Sequence, residues 1–372
     1  MKNILFTFFS FFIILNAFSQ QSWVSYNDKQ AREPEYNILE QDSRGLTLEI
    51  RTFGFFTEDI IADGTTYQSL EMLAYQKTLE VGKPELPALN QIIGIPAHRL
   101  VKAEIIDSEQ IELSGEYNIF PCQEPEKDIK NGKPAFSFDA AVYFENEAFP
   151  SKQLTMNKPG IWRDVKISGL RFIPFSYNTK SKKLTAINRV KIRVEFYGSD
   201  FECVPLRSVK QINPRHYNMY ANKILNFESL GFEKTYREEY GTKYLIITNT
   251  NPTSTIQQFV NWKNEQGYNV EVKTLMSGFN QPQQFKTYIQ QLYQSDGLEY
   301  VLIVGDGYPD GGSGGGPDIV PLYYWNPGSN ASYSDSWYTC LDGPDDHYAD
   351  LAIGRFVYDD LTELSQQMQK TM

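Results

Sequence analysis

The sequence predicts an α+β chain of two domains: an N-terminal all-β domain, sandwich or barrel-like, followed by the start of a parallel-sheet α/β domain. Three observations lead there. From about Ser22 to Phe201, short alternating or β-branched runs are separated by Gly, Pro, Asn and Asp, and helical periods are few. From Lys243 onward, apolar strands alternate with amphipathic helices, the pattern of a parallel sheet with right-handed crossovers. Finally, 372 residues exceed what one core organises, at roughly 150 residues per domain.

The first element is a targeting segment. Lys2 supplies a positive start and Ile4 to Phe18 are apolar, yet the run is shorter than the roughly 20 residues of a membrane span. Ala17 and Ser19 are small at the two positions a signal peptidase reads, so residues 1–19 are expected to be removed before Gln20. No later stretch is long and apolar enough to span a membrane, so the mature protein is expected to be soluble. The formal charge of −11, with no cluster of Lys and Arg, excludes a phosphate-backbone binder.

In the β-rich domain, taken as 20–204, strands are expected at Leu46–Ile50, Leu100–Ile106, Val165–Phe172 and Val190–Phe196. Turn residues Asn178–Lys183 are expected to join the last two as a hairpin. In the last strand Val190, Ile192 and Val194 alternate with Lys191, Arg193 and Glu195, giving one buried and one wet face. Cys122 and Cys203 fall in this region and form either a disulfide or two buried thiols; spacing leaves both open.

Residues 205–240 are charged and aromatic without a sustained period and are read as a linker. Its Arg207, Lys210, Arg215, Lys223, Lys234 and Arg237 offer processing sites wherever they are exposed.

In the α/β portion, 241–372, Tyr244–Thr248 reads as a buried strand. A helix opens at Pro252, carries Ile256, Phe259 and Val260, and ends at Gly267. Val270 and Val272 mark a second strand. A second helix opens at Pro282, aligns Phe285, Tyr288, Ile289, Leu292 and Tyr293, and stops at Gly297. Tyr300–Val304 is apolar throughout, as a central parallel strand is. Leu351–Ile353 starts another strand, and Asp360 with Glu363 forms a capping box for a helix carrying Leu361, Leu364 and Met368. That helix has no C-cap and so short a sheet leaves an edge unpaired, so the portion is expected to belong to a larger sheet.

Functional groups of open parallel sheets gather at the carboxyl ends of strands, which singles out Asp306 after Val304. It either serves a metal or catalytic role or closes an Asx-turn. The run Gly311–Gly316 lacks the Gly-Lys-Ser/Thr ending of a phosphate loop and reads as a surface loop. Asp342, Asp345, Asp346 and Asp350 crowd one stretch; Asp346, Tyr348 and Asp350 fall at i, i+2 and i+4, so two carboxylates and the Tyr348 carbonyl can face a hard cation. A solvated acidic loop is the alternative. His98, His216 and His347 show no zinc-ligand spacing with the cysteines. Cys340 and His347 are not read as nucleophile and base, because no strand end or glycine-rich turn presents the thiol.

Three stretches, Phe259-Val-Asn-Trp-Lys-Asn-Glu-Gln-Gly267, Tyr300-Val-Leu-Ile-Val-Gly-Asp306 and Asp346-His-Tyr-Ala-Asp-Leu-Ala-Ile-Gly-Arg-Phe356, resemble the start of the catalytic domain of gingipain-type cysteine peptidases. Upstream, Gly82-Lys-Pro-Glu-Leu-Pro87 with Ile95-Pro96, and Ile173-Pro-Phe-Ser-Tyr-Asn178 leading into Val190–Phe196, resemble that family's propeptide. The resemblance spans nearly the whole mature chain. It implies a secreted endopeptidase zymogen with a caspase-like fold, acting on protein or peptide substrates, with an inhibitory prodomain removed by cleavage in the linker. The catalytic Cys and His are expected beyond Met372, so no residue present is assigned to them. The family's calcium sites map onto Asp306, Asp346, the Tyr348 carbonyl and Asp350, implying a structural calcium. Export through the periplasm to the surface or medium by a type IX secretion route is also implied. The competing expectations are a non-catalytic surface or adhesion protein on the same fold, and a nucleotide-binding α/β domain that nucleotide would stabilise against heat.

Overall fold

The computed structural model describes residues 21–27, 30–125, 135–144, 148–234, 242–249, 254–276, 278–307, 320–325 and 332–372. The expected signal peptide 1–19, Pro252, Arg237 and the Gly311–Gly316 loop lie outside the described residues.

The N-terminal domain is a sandwich of antiparallel sheets. One six-stranded sheet contains Glu35–Asp42, Gly45–Arg51, Leu100–Glu112, Lys183–Tyr197, Phe175–Asn178 and Ala148–Phe149. The facing sheet contains Leu154–Met156, Gly160–Trp162, Val165–Phe172, Pro87–Ile95 and Gln76–Lys77. Alternation explains the core between them: Leu46, Leu48, Ile50, Val190, Ile192 and Val194 of the first meet Leu89, Ile93, Ile95, Leu170 and Phe172 of the second.

The hairpin at Asn178–Lys183 joins Phe175–Asn178 to Lys183–Tyr197, with Tyr177 opposite Leu184. The strand Val165–Phe172 was expected as its partner but pairs with Pro87–Ile95 in the other sheet. Pro174 accounts for the difference: it has no N–H for a ladder, so the chain leaves one sheet before entering the next.

Most of the expected linker is folded. Asn213 caps a helix at Pro214–Lys223 by accepting from Arg215 N, and a 3-10 turn follows at Phe227–Leu230. Ile212, Tyr220, Ile224 and Phe227 pack on Val165 and Ile167 of the sandwich. The helix fully buries only Tyr220, so it carries no apolar stripe that a periodicity could reveal. All three cysteines are free, which closes the disulfide question.

The α/β domain is a parallel sheet in the order Asn269–Thr274, Lys243–Thr248, Leu298–Val304, Ala352–Phe356. Leu245, Ile247, Val301 and Ile303 face the helix Pro282–Asp296. Ile246, Leu302 and Val304 face the helices Ser254–Glu265 and Leu361–Thr371. Both faces are covered, which is why these strands are apolar throughout. Asp360 Oδ1 accepts from Thr362 N and Glu363 N, at 2.7 and 2.9 Å, capping the last helix as expected. Glu363 returns to Asp359 N rather than to the cap residue's own N–H.

Candidate metal site and the domain contact beside it

The acidic stretch precedes the strand Ala352–Phe356, whose register pairs Ala352 with Tyr300 and Phe356 with Val304. In a parallel pair the start of one strand lies beside the start of the other. Asp350 therefore sits at the amino end of the sheet and Asp306, past Val304, at the carboxyl end. The five paired residues between them span about 16 Å. Asp306 accordingly stands apart from the acidic group of Asp342, Asp346 and Asp350. Its Oδ1 accepts from Gly307 N at 2.6 Å and its carbonyl from Val320 N at 2.8 Å, so here it shapes a turn.

Asp342, Asp346 and Asp350 each bring a carboxylate oxygen to within 4.8 Å of the others. Asp350 is 0% exposed. Its Oδ2 accepts from Leu341 N at 2.9 Å, while its buried Oδ1 has no hydrogen-bond partner. Asp342 Oδ1 accepts from Leu206 N at 3.3 Å, and its buried Oδ2 likewise has no partner. Asp346 accepts from Asp342 N at 3.0 Å and from Tyr348 N at 2.9 Å. Burial, then the neighbouring carboxylates, push the Asp342 and Asp350 carboxyls well above their ordinary range, and burial also raises Asp346. Such a site is short of positive charge: two acceptors are desolvated and unsatisfied, and carboxylates face one another.

Asp342 completes the group. It lies outside the expected set Asp346, Tyr348 and Asp350, yet the signal was present: Asp342 shares their parity, and 342, 346 and 350 repeat every fourth residue. The Tyr348 ring faces elsewhere, against Gly160 of the sandwich, where a Cβ would stand 2.7 Å from its Cε2.

Beside the acidic loop, the sandwich meets the α/β domain. Arg163 and Asp164 form the two-residue turn between Gly160–Trp162 and Val165–Phe172, with Arg163 at φ 58°. Arg163 Nη1 donates to the Asp350 carbonyl at 2.8 Å and Nη2 to Glu299 Oε1 at 2.5 Å. Asp164 pairs with Arg207 at 2.8 Å and accepts from Tyr293 OH at 3.4 Å, while the Arg207 guanidinium lies 4.1 Å over the Tyr293 ring. Arg207 is thus not the exposed processing site expected of a linker residue. His216 Nδ1 stands 3.7 Å from Glu299 Oε2; burial, reinforced by the Arg163 charge, lowers its pKa to about 4. Glu299 is the second residue of its strand, so this contact also belongs to the amino end of the sheet. None of these contacts is visible in sequence, because each joins residues far apart in the chain.

Cys340 is buried, and its Sγ donates to the Ser336 carbonyl at 3.3 Å. Burial, then the charge of Asp346, push the thiol up to about 12, which keeps it protonated and unreactive at neutral pH.

Residues 26–235 match the family Propeptide_C25, and residues 237–372 match Peptidase family C25. Gingipain R2 of Porphyromonas gingivalis is 24% identical over 351 residues, covering 92% of this chain and 45% of the relative. Gingipain R1 of the same organism is 26% identical over 372 residues, covering 96% of this chain and 34% of the relative. Among solved structures, the complex of the Porphyromonas gingivalis RgpB pro- and mature domains is similar with a TM-score of 0.46 and 20% identity, over 53% of this chain and 100% of that one. The chain spans less than half the length of these curated relatives.

Proposed function

The chain belongs to the C25 peptidase family, with that family's propeptide preceding the peptidase portion, and on that membership we propose that it is part of a cysteine endopeptidase zymogen. The observation that carries the reading is the order of the two matches, propeptide at 26–235 and peptidase at 237–372, which meet at the expected processing region. The family match favours this over a non-catalytic surface protein. The catalytic Cys and His of the complete protein lie beyond residue 372, the sandwich acts as intramolecular inhibitor until cleavage, and proteins or peptides are the substrates. Export follows removal of residues 1–19, with the type IX route delivering the protein to the surface or medium. Peptide hydrolysis by the complete protein, abolished by thiol alkylation, is the test. A complete protein that hydrolyses no peptide, or is indifferent to alkylation, overturns the reading.

The second part of the proposal is a structural calcium at Asp342, Asp346 and Asp350, with the Tyr348 carbonyl as the main-chain donor. The unpartnered buried oxygens of Asp342 and Asp350 support it, and hard carboxylate oxygens suit a hard cation. The ion would supply charge neutralisation and hold the loop to the sheet. Chemistry on a substrate is not its role.

A further inference from the structure

We propose that cation binding at Asp342, Asp346 and Asp350 and docking of the N-terminal sandwich are one coupled equilibrium, each strengthening the other. The inference rests on the calcium reading above and adds its regulation. The loop that carries the three carboxylates is the same surface on which the sandwich and the segment after it dock. Leu206 N donates to Asp342 Oδ1 at 3.3 Å, and Arg163 Nη1 donates to the Asp350 carbonyl at 2.8 Å. Lys158 pairs with Asp345 at 3.5 Å, and the Tyr348 ring lies on Gly160. Two of these four contacts therefore fall on residues whose carboxylates converge.

A flexible acidic loop must lose conformational freedom to present three ligands to one ion. The docked sandwich has already ordered it, so the ion binds a prepared site. Conversely, without a counter-charge the converging carboxylates repel one another and favour a splayed loop. An ion that neutralises them keeps the Asp342 carboxylate and the Asp350 carbonyl where Leu206 and Arg163 meet them. By linkage the two effects are equal in size.

One term opposes the coupling, the positive charge of Arg163 beside a cation site. Its neighbours decide the balance. Arg163 and Arg207 are matched by Asp164 and Glu299, with Arg163 at 2.5 Å from Glu299 and Arg207 at 2.8 Å from Asp164. Docking brings one net positive charge, because Glu299 already stands in the α/β domain, but the pairing of Arg163 with Glu299 leaves the docked cluster neutral beside the ion, and the ordering effect prevails. The contact also lies at the amino end of the sheet, opposite the carboxyl ends where open α/β sheets bind their ligands. It is an anchor, and its strength is measurable without any catalytic assay.

The test is calorimetric titration of calcium into the full chain and its Arg163→Gln variant, paired with a separation experiment. In the second, the chain is nicked by trypsin in the 210–240 region and gel-filtered in calcium or in chelator. The expected results are at least a fivefold weaker calcium affinity in Arg163→Gln, and halves of the nicked chain that co-elute in calcium and separate in chelator. A Gly160→Val variant, which wedges the Tyr348 ring, is expected to weaken calcium in the same direction should Arg163→Gln fail to fold. Equal calcium affinity in wild type and folded variants, or halves that separate equally in both buffers, overturns the coupling while leaving the metal site standing. No calcium uptake by the wild type overturns the metal reading, and the coupling with it.

Discussion

Arg163 of the sandwich and Glu299 of the α/β domain close a 2.5 Å ion pair whose side chains are only 6% and 15% exposed. Glu299, the second residue of a parallel strand, and Arg163, in the left-handed region of a two-residue turn, meet only because the turn is thrust against the amino end of the sheet.

Removing one partner leaves the other charge buried. Arg163→Ala or Glu299→Ala is expected to cost about 3–5 kcal/mol, whereas replacing both with Met and Leu costs much less. Urea unfolding of the two single variants and the double variant measures this; single variants as stable as wild type contradict it.

Acid should weaken the same contact through His216. Its folded pKa of about 4 lies below the unfolded value near 6.5, so between those limits the unfolded chain binds the extra proton. Stability therefore rises with pH across that window and is lost as pH falls through it. Arg163, Arg207 and Arg215 around it disfavour the imidazolium, Asp164 favours it, and Glu299, itself raised by burial, works in the opposite pH direction. The difference in Tm between wild type and His216→Asn from pH 7 to pH 4.5 isolates the histidine; the variant is expected to lose less on acidification.

Asp350→Asn separates the cost of the acidic group from its use. The amide cannot ionise, so it escapes the burial and carboxylate repulsion that raise the Asp350 carboxyl, and the calcium-free variant is expected to melt at or above the wild-type temperature. It should also lose the calcium response, which for wild type is about 2.7 kcal/mol at a hundredfold excess over Kd. Thermal melts with calcium and with chelator give both numbers, and a calcium shift retained in Asp350→Asn argues against the site.

The thiols make a simpler test. Three free thiols are expected on denaturation, and in the folded chain the half-buried Cys203 should alkylate ahead of the buried Cys122 and Cys340. Time-resolved labelling read by mass spectrometry decides it; rapid labelling of Cys340 would contradict both its burial and its raised pKa.

What was legible in the sequence is what local rules govern. Val190, Ile192 and Val194 announce a one-faced strand, Phe285 to Tyr293 an amphipathic helix, and Asp360 a cap, because hydrophobic period and capping chemistry act within a few residues. The acidic stretch around Asp346 and Asp350 was legible as a composition. Its convergence was not, since bringing the Asp342, Asp346 and Asp350 carboxylates within 4.8 Å of one another depends on how the loop closes, which spacing alone does not fix.

Sequence alone thus determined the two layered architectures, their order and the presence of an oxygen-rich loop. Tertiary structure decided the rest: Asp306 and Asp350 stand at opposite ends of the sheet, and Arg163 reaches Glu299 across a domain boundary. Strand register holds apart residues only 44 positions distant, and domain docking joins residues 136 apart, a scale at which packing of whole elements outweighs any local preference.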